Sequence, residues 1–270
     1  MMTSIKIPVM IQDDMKAALC QLKPYIDDIE KNTDIVVDTI VNTDADLIIF
    51  PEMFLTDYSF DGPYDVDLMG MCLERILRAT RMTRKAAIVG GPHMSNGKLF
   101  NSAYIISERI DKYDKINLPG FGVFSEKDRF SEGDRLVMRN ICGFNIGVII
   151  CYDVFFPELV KAYAMNGADA VICISASPTT SKIAFDRVLP TRSVESTVYM
   201  LFVNNVGDRE GMTFFGGSRC ISPSGDTSVE VGDEETIMTV ELDHESVRIA
   251  RDNRPTLKDT KGRTIRIEIA

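Results

Sequence analysis

The sequence predicts an α/β fold in which helices cover β-sheets, and two observations support this prediction. Short, buried apolar runs alternate along the chain with segments whose apolar residues recur at helical spacing. The same alternation occurs in both halves, and no linker, solenoid-type repeat or low-complexity stretch separates them. We therefore expect one domain over residues 15–270, preceded by an N-terminal extension over residues 1–14.

The first half of the chain supplies buried strands, amphipathic helices and a hairpin. Apolar side chains three and four residues apart indicate the helices, and short aliphatic runs indicate the strands. Asn96-Gly97 is typical of a tight turn between two strands. In order, the predicted elements are a strand at Ala17–Gln21, a helix carrying Ile26 to Val41, a strand at Leu47–Phe50, a helix at Asp67–Thr83, a strand at Ala86–Gly90, and paired strands at Phe100–Ser107 and Arg109–Tyr113.

The second half repeats this arrangement of strands and helices. Its first helix is predicted to begin at Pro157, because proline lacks the N–H that the first turn of a helix leaves unpaired. The predicted elements are a strand at Val148–Ile150, a helix at Pro157–Met165, a strand at Ala170–Ile174, a helix at Lys182–Thr197, and strands at Tyr199–Val203, Gly216–Ser222 and Thr236–Leu242.

Composition narrows the class of protein. A net charge of −10 argues against nucleic acid or an anionic membrane as a partner. The six cysteines form no C-x-x-C pair, which is typical of reduced cysteines and not of a disulfide framework. No basic-then-apolar leader opens the sequence, and no apolar run approaches the length of a membrane span. These features predict a cytoplasmic protein.

Histidine is scarce in this sequence. The two histidines, His93 and His244, belong to neither an H-E-x-x-H nor a Cys/His metal pattern. We therefore expect no zinc site. Because histidine is the usual base for a nucleophilic serine or cysteine, its scarcity also predicts that a nucleophile in this protein uses a different base.

Cys151 stands between an apolar strand that ends at Ile150 and the helix that begins at Pro157. A residue at a strand-to-helix turn lies near backbone N–H groups that stabilise negative charge, which suits a nucleophile. A free cysteine considered alone is more often a small, inert residue of the core. The residues at the ends of the other predicted strands favour the functional interpretation.

Glu52 and Lys115 also follow predicted strands, Leu47–Phe50 and Arg109–Tyr113. Ionisable residues at strand ends of α/β folds tend to line the ligand crevice. A buried carboxylate with a raised pKa can act as a base, and an ammonium can stabilise the oxyanion that forms when a thiolate adds to a carbonyl or nitrile carbon. Glu52, Lys115 and Cys151 are therefore predicted as base, electrostatic stabiliser and nucleophile.

Seven motifs stand in a recognisable order: Leu47-Ile-Ile-Phe-Pro-Glu52, Tyr113-Asp-Lys115-Ile-Asn-Leu-Pro, Phe124-x-Glu126, Gly147-x-x-Ile-Cys151-Tyr-Asp-x-x-Phe-Pro-Glu158, Arg192-Ser-Val-Glu195, Asn204-Asn-Val-Gly207, and Gly217-Ser218 followed by Pro223-Ser-Gly225. In their order and spacing, the sequence resembles the nitrilase (carbon–nitrogen hydrolase) superfamily, on its amidase-like branch, from Met15 to about Leu257. The resemblance implies a four-layer αββα sandwich that packs into homodimers or larger homo-oligomers.

The resemblance also implies roles by position. Glu52 matches the general base, Lys115 the lysine that holds the tetrahedral intermediate, and Cys151 the nucleophile. Glu126 matches a second glutamate that helps to position the substrate in amidase members. The backbone N–H of Tyr152 would assist Lys115 at the oxyanion. These roles imply hydrolysis of a non-peptide C–N bond through a thioester, with release of ammonia. Such a reaction requires neither a metal nor an organic cofactor.

The residues that follow the nucleophile bear on the substrate. Members that act on N-carbamoyl amino acids or on ω-amides of dicarboxylates often carry an arginine just after Cys-x-Asp, where it clamps a carboxylate. Here those positions hold Val154 and Phe155. We therefore predict a small neutral amide as substrate, with Glu126, Tyr152, Asp153 and Phe155 as substrate-positioning residues.

Three alternatives stay open at this point. The enzyme would be a nitrilase if its substrate were a small nitrile, and an N-carbamoyl amino acid amidohydrolase if Arg192 or Arg209 supplied the clamp. A catalytically silent interaction module on the same fold is the third. Asn117 replaces the histidine that the family usually has two residues after the lysine, which weakens the assignment to a sub-family.

Overall fold

The computed structural model describes residues 14–58, 62–63, 65–122, 124–209 and 211–260. The predicted N-terminal extension falls outside these ranges except for Asp14, at which the first strand begins. The division into an extension and one domain therefore stays a prediction. Within the described ranges, every helix is too short or too polar to cross a membrane.

The strands form two large sheets and a small two-stranded sheet. Over the described residues they are β1 Asp14–Gln21, β2 Leu47–Ile49, β3 Ala86–Ser95, β4 Lys98–Ile106, β5 Ile110–Asp114, β6 Met138–Ile141, β7 Phe144–Ile150, β8 Ala170–Ser175, β9 Tyr199–Asn204, β10 Val206–Arg209, β11 Met212–Phe215, β12 Arg219–Ile221, β13 Thr227–Glu230 and β14 Thr236–Asp243.

The helices lie between these strands and after the last of them. The described α-helices are α1 Ile29–Asn42, α2 Val66–Thr83, α3 Glu126–Arg129, α4 Pro157–Met165, α5 Lys182–Ser196, α6 His244–Asn253 and α7 Thr256–Thr260. Two short 3₁₀ helices, Cys151–Phe155 and Thr179–Ser181, follow β7 and β8.

The first sheet has the strand order β14-β1-β2-β3-β4-β5, with β1, β2 and β3 parallel and the other pairs antiparallel. Successive side chains of a strand point to opposite faces. Accordingly, Ala18 and Cys20 of β1 pack in the apolar cluster that includes α1 and α2, while Ala17 and Leu19 pack in the cluster shared with the second sheet. One face of this sheet therefore carries helices, and the other faces a sheet.

The second sheet has the strand order β13-β12-β9-β8-β7-β6, with β7, β8 and β9 parallel. Parallel strands covered on both faces are continuously apolar, and every residue of β8 and β9 is buried. Tyr163 of α4 and Phe185 of α5 join the same core as the strands. The layers are therefore helix, sheet, sheet and helix, which confirms the αββα sandwich.

Most predicted elements occur within a few residues of their expected positions, and α4 has its predicted bounds. The helix predicted to carry Ile26 begins at Ile29, because the Asp28 side chain accepts a hydrogen bond from the backbone N–H of Lys31 and caps it. The strand predicted at Gly216–Ser222 was too long. It begins only at Arg219, since Gly216 and Gly217 have φ values of 61° and 63°, which an extended strand does not accommodate.

Candidate active site

Four strand ends, two from each sheet, bring together three predicted chemical groups and one serine that was not predicted. Glu52 and Lys115 lie just beyond β2 and β5 of the first sheet, while Cys151 and Ser177 lie beyond β7 and β8 of the second. The charges of Glu52 and Lys115 both act on the Cys151 thiol. The three residues predicted as base, stabiliser and nucleophile therefore belong to one site at the junction of the two sheets.

A buried ion cluster forms one side of this site. The Lys115 ammonium nitrogen, Nζ, lies 2.8 Å from Glu52 Oε1 and 2.8 Å from Glu126 Oε1. All three side chains are at most 2% exposed. Because the ammonium stands between the carboxylates, this pair is not arranged for a metal ion. Elsewhere in the described ranges, no group of three or more His, Cys, Asp or Glu side chains is arranged to hold a metal ion.

A tight turn fixes the position of Glu52. Its Oε2 accepts a hydrogen bond of 2.7 Å from the backbone N–H of Ala176, beyond β8 of the second sheet. The next residue, Met53, has a φ of 54°, so the chain turns sharply after Glu52. The turn packs directly on Gly90 of β3, where a Cβ atom would lie 2.3 Å from the Met53 nitrogen. Only glycine leaves room for this turn.

Opposing effects set the protonation of the cluster. Burial raises the pKa of the Glu52 carboxyl, and the Lys115 ammonium opposes that rise. Burial would lower the pKa of Lys115, but the carboxylates of Glu126 and Glu52 raise it well above its ordinary value. The cluster therefore holds a charged lysine beside a carboxylate whose proton affinity is increased, which is the property required of a base.

Two neighbours of the cluster were not singled out from the sequence. The Asn101 side-chain nitrogen donates to Glu52 Oε1 at 2.7 Å, and the Tyr58 hydroxyl donates to Glu126 Oε1 at 2.7 Å. Asn101 is a fully buried amide in β4. A polar residue that interrupts an apolar strand was a usable signal for Asn101, whereas a tyrosine in a loop gives none.

The strand-to-helix turn at Cys151 occurs as predicted. Cys151 has a φ of 48°, and residues 151–155 form a 3₁₀ helix that leads into α4 at Pro157. A left-handed conformation at a non-glycine residue costs on the order of 1–3 kcal/mol and persists where the surrounding structure enforces it. The backbone therefore holds this cysteine in a sharp turn at the end of β7.

Asp153 holds that turn in place through hydrogen bonds. Its carboxylate accepts hydrogen bonds from the Tyr113 hydroxyl at 2.7 Å, from the Ile150 backbone N–H at 3.1 Å, and from the Asn117 backbone and side-chain nitrogens at 2.8 and 3.0 Å. Asp153 is fully buried and is not among the residues that line the cavity described below. These contacts fit a role in holding the turn and not the predicted contact with substrate.

The Cys151 thiol is nearly buried and contacts Ser177, whose oxygen lies 3.2 Å from the sulfur. Burial, followed by the Glu52 carboxylate, raises the pKa of the Cys151 thiol to about 12, while Lys115 and the hydroxyls of Ser175 and Ser177 lower it. All six cysteines are free. Burial therefore favours the neutral thiol, and a base that accepted its proton would increase its nucleophilicity.

A cavity of about 250 Å³ opens above the Cys151 thiol. Tyr152 and Phe155, both predicted to position the substrate, belong to its lining. Over the described residues, the lining contains aromatic rings, small side chains and hydroxyl groups but no charged side chain. Its members are Pro119, Phe121, Phe124, Cys151, Tyr152, Phe155, Ser177, Thr180, Ser181, Ala184 and Phe185.

Neither arginine considered as a carboxylate clamp belongs to this lining. Arg192 donates through Nε to the Val154 carbonyl at 2.8 Å and through Nη2 to the Phe155 carbonyl at 3.3 Å, so it supports the turn that follows Cys151. The Arg209 guanidinium forms a buried ion pair of 2.6 Å with Asp57. Both guanidinium groups are therefore engaged away from the cavity.

The fold and the site together define a class of proteins in which an αββα sandwich holds a cysteine beside a buried lysine–glutamate cluster. The sequence model described as carbon-nitrogen hydrolase matches residues 16–252. The chain belongs to this family, the nitrilase superfamily, and is a carbon–nitrogen hydrolase.

Named relatives agree with this assignment. An (R)-stereoselective amidase of Pseudomonas sp. is 31% identical, with 92% of each chain covered. A nitrilase of Pyrococcus abyssi is 30% identical, with 88% of this chain and 94% of that protein covered. Among solved structures, an amidase of Nesterenkonia sp. AN1 has a TM-score of 0.79 at 25% identity, covering 92% of this chain and 96% of that one. That structure shows covalent addition of the acetamide moiety of fluoroacetamide at the active-site cysteine.

Proposed function

We propose that this protein is an amidase that releases ammonia from small neutral amides through a thioester on Cys151. One observation carries the proposal. The cavity above the thiol is lined by aromatic rings and hydroxyls and, over the described residues, by no charged group. Such a lining favours an uncharged substrate, because a carboxylate placed there would lose its hydration without gaining a cationic partner.

In the first half of the reaction, Glu52 takes the thiol proton and the Cys151 sulfur attacks the amide carbon. The Lys115 ammonium and the Tyr152 backbone N–H stabilise the oxyanion. When the tetrahedral intermediate collapses, the C–N bond breaks and the proton on Glu52 passes to the departing nitrogen, which leaves as ammonia. The acyl group stays on sulfur as a thioester.

In the second half, Glu52 accepts a proton from water, and the resulting hydroxide attacks the thioester carbon. The same two donors stabilise the second oxyanion. The C–S bond then breaks, the carboxylic acid product leaves, and the proton on Glu52 returns to the Cys151 sulfur. Because one carboxylate exchanges the proton in both halves, its raised pKa serves both the acid and the base step.

The remaining predicted residues support these groups. Glu126 contacts the Lys115 ammonium and not the cavity, so it positions the substrate through the lysine. Tyr152 and Phe155 form part of the cavity wall and contact the acyl or aromatic group of the substrate. Asp153 acts on the reaction only by fixing the turn that carries the nucleophile.

A nitrile is the second candidate substrate. The Pyrococcus abyssi relative is named as a nitrilase, and a thiolate also adds to a nitrile carbon. A nitrile is likewise uncharged and suits the same cavity. An N-carbamoyl amino acid is disfavoured, because its carboxylate would meet neither Arg192 nor Arg209 in the lining.

The test measures ammonia release from neutral aliphatic and aromatic amides, nitriles and N-carbamoyl amino acids, together with intact-mass spectra. We expect turnover of neutral amides and an acyl adduct on Cys151. Cys151→Ala should abolish both and retain the fold. Cys142→Ala is the matched control, since Cys142 also has a positive φ, 49°, and lies outside the cavity.

Three results would contradict the proposal. Turnover by Cys151→Ala would exclude this nucleophile. Faster hydrolysis of N-carbamoyl amino acids than of every neutral amide would exclude the substrate class. Ammonia release from nitriles alone would replace the amidase with a nitrilase.

A further inference from the structure

A chain of two serine hydroxyls leads away from the Cys151 sulfur. The Ser177 oxygen lies 3.2 Å from Cys151 Sγ, and the Ser175 oxygen lies 2.6 Å from the Ser177 oxygen. Ser175 is the last residue of β8 and Ser177 follows two residues later. Both side chains are at most 1% exposed. The nucleophile is thus the end of a buried hydrogen-bonded chain.

The backbone of Ser177 is fixed by one side chain. Asn204, the last residue of β9, accepts a hydrogen bond of 2.8 Å from the Ser177 backbone N–H and donates one of 3.2 Å to the Ser177 carbonyl. The Asn204 backbone N–H in turn donates to the Ser218 hydroxyl at 3.0 Å. The Ser177 hydroxyl is therefore held at the sulfur by the framework of the second sheet.

The direction of this chain depends on the charge of the sulfur. While Cys151 is a thiol, either the sulfur or the Ser177 hydroxyl can donate the hydrogen bond between them. A thiolate has no hydrogen, so the Ser177 hydroxyl must then be the donor. With its hydrogen directed at sulfur, Ser177 accepts from Ser175, whose hydroxyl becomes the donor of the 2.6 Å bond.

We infer that Ser177 is a further catalytic residue, whose hydroxyl donates a hydrogen bond to the Cys151 sulfur while it is a thiolate, and that Ser175 positions and polarises that hydroxyl. The thiol proton passes to Glu52, and each serine keeps its own hydrogen, so neither serine is an acid or a base. The inference rests on the proposed function in taking Cys151 as the nucleophile.

The surroundings of the sulfur explain why such a donor matters. The thiolate would form at a buried position close to the Glu52 carboxylate. Burial and the negative charge of Glu52 both disfavour a negative charge on sulfur. The opposing cation, Lys115, is shared between Glu52 and Glu126. A hydroxyl that donates to an anion stabilises it more strongly than it stabilises a neutral group. Ser177 therefore assists the state that attacks the substrate.

The experiment follows alkylation of Cys151 by iodoacetamide as a function of pH, with peptide mass spectra that report this residue separately. We expect Ser177→Ala to slow the reaction about tenfold at each pH from about 7 to about 9, because the thiolate fraction falls when its hydrogen-bond donor is lost. Ser175→Ala should slow the reaction over the same pH range by a smaller factor. Ser177→Thr keeps a hydroxyl and should restore most of the rate.

Two controls isolate the effect. Ser196→Ala removes another fully buried serine hydroxyl, one that has no hydrogen-bond partner among the described residues, and should leave the profile unchanged. Cys142 in the same samples serves as an internal reference, since it is half-buried and lies outside the cavity.

Wild-type alkylation rates at every pH for both Ser177→Ala and Ser175→Ala, in variants shown by circular dichroism to be folded, would overturn the inference. If Ser177→Ala does not fold, the Ser175→Ala profile alone decides. The alkylation rate can be measured without amide turnover, so the amidase proposal and the inference about Ser177 can be rejected independently of each other. Inactivity of the wild type towards every amide would reject the proposed function and leave the alkylation result intact.

Discussion

At the centre of the site, the Lys115 ammonium separates two carboxylates, Glu52 and Glu126, that would repel each other across the same buried space. Removing one partner from a buried ion pair leaves the other charge without compensation, which costs about 3–5 kcal/mol. Lys115 is therefore required for the stability of the folded site as well as for the proposed stabilisation of the oxyanion.

We predict that Lys115→Gln is destabilised more at about pH 7.5 than at about pH 5. Without the ammonium, the folded-state pKa of Glu52, already raised by burial, rises further above its ordinary value of 4.5. The folded protein then keeps a proton that the unfolded chain releases, so the free energy of unfolding falls as pH rises through this range. Urea unfolding at the two pH values measures the difference.

Lys85→Gln is the matched control for that measurement. The Lys85 side chain is partly buried, and its ammonium donates to the carbonyl oxygens of Ile40 and Thr43 at 2.7 Å each. Carbonyl groups do not titrate, so its loss should cost the same at both pH values. Equal destabilisation of Lys115→Gln at both pH values would contradict the predicted coupling to Glu52.

A second prediction at this scale concerns Asp153, which faces N–H and O–H donors on both oxygens. Asp153→Asn places an amide NH₂ opposite one of these donors. We expect kcat to fall about tenfold, the cost of one mismatched buried contact, with little change in KM. Steady-state kinetics on the best amide measures both constants. A change confined to KM would instead support the original prediction that Asp153 contacts substrate.

Glu158→Gln is the control for this variant. Glu158 is exposed in the first turn of α4, where a carboxylate interacts favourably with the helix dipole. Its replacement should leave both kinetic constants near their wild-type values.

At the scale of elements, the site depends on how closely strands and turns approach each other. The turn that carries Glu52 rests on the backbone of β3 at Gly90, where a Cβ atom would lie 2.5 Å from the Pro51 carbonyl oxygen. That distance is shorter than any ordinary contact of a Cβ atom, so a side chain at this position must displace the turn.

We predict that Gly90→Ala lowers kcat about a hundredfold, because a displacement near 1 Å at a reacting group has an effect of that order. Kinetics and thermal unfolding, measured on the same preparation, check the prediction. Gly70→Ala is the matched control, since nothing lies within 4 Å of a Cβ atom at this position in α2. It should leave activity unchanged and stabilise the protein by about 0.5–1 kcal/mol. Wild-type kcat in Gly90→Ala would contradict the role of this contact.

The elements that could be predicted from the sequence are those with a strong local pattern. The apolar runs of β7 and β8 and the proline at the start of α4 gave their positions. β13 was missed because all four of its residues are exposed, so it lacks the alternation that marks a strand. The helix α6 was missed because its charged residues outnumber the two that it buries, Val247 and Ala250.

The candidate site likewise contains some residues that the sequence could predict and others that it could not. Glu52, Lys115 and Cys151 stand at the ends of predicted strands, and their chemistry is distinctive enough to mark them. The chain of Ser175 and Ser177 has no local signature, because its meaning comes from a contact with a residue 26 positions away. Assembly into homo-oligomers and a cytoplasmic location stay predictions.

At the scale of the whole molecule, the site exists only where the two sheets meet. The first sheet supplies Glu52 and Lys115, and the second supplies Cys151 and Ser177. A single apolar core joins residues of both sheets, with Leu19 of β1 and Phe202 of β9 among its buried members. Alignment of Glu52 with Cys151 therefore depends on the packing of one sheet against the other.

We predict that activity and secondary structure are lost at the same urea concentration. Because the core between the sheets is shared, neither half of the site should persist when the other half unfolds. Amide turnover and far-ultraviolet circular dichroism, recorded on the same equilibrated samples, provide the measurement. Activity lost well before the change in circular dichroism would show that the sheets separate, or the site opens, before the fold is lost.

The cavity wall and the ion cluster come largely from different parts of the chain, and this separation has an evolutionary consequence. Tyr152 and Phe155 lie in the 3₁₀ helix after β7 and Phe185 lies in α5, whereas Glu52 and Lys115 follow strands of the first sheet. Mutations that reshape the wall can therefore accumulate without touching the groups proposed to break the C–N bond. Descendants of one ancestral enzyme can diverge towards new amides or nitriles while they inherit the same reaction unchanged.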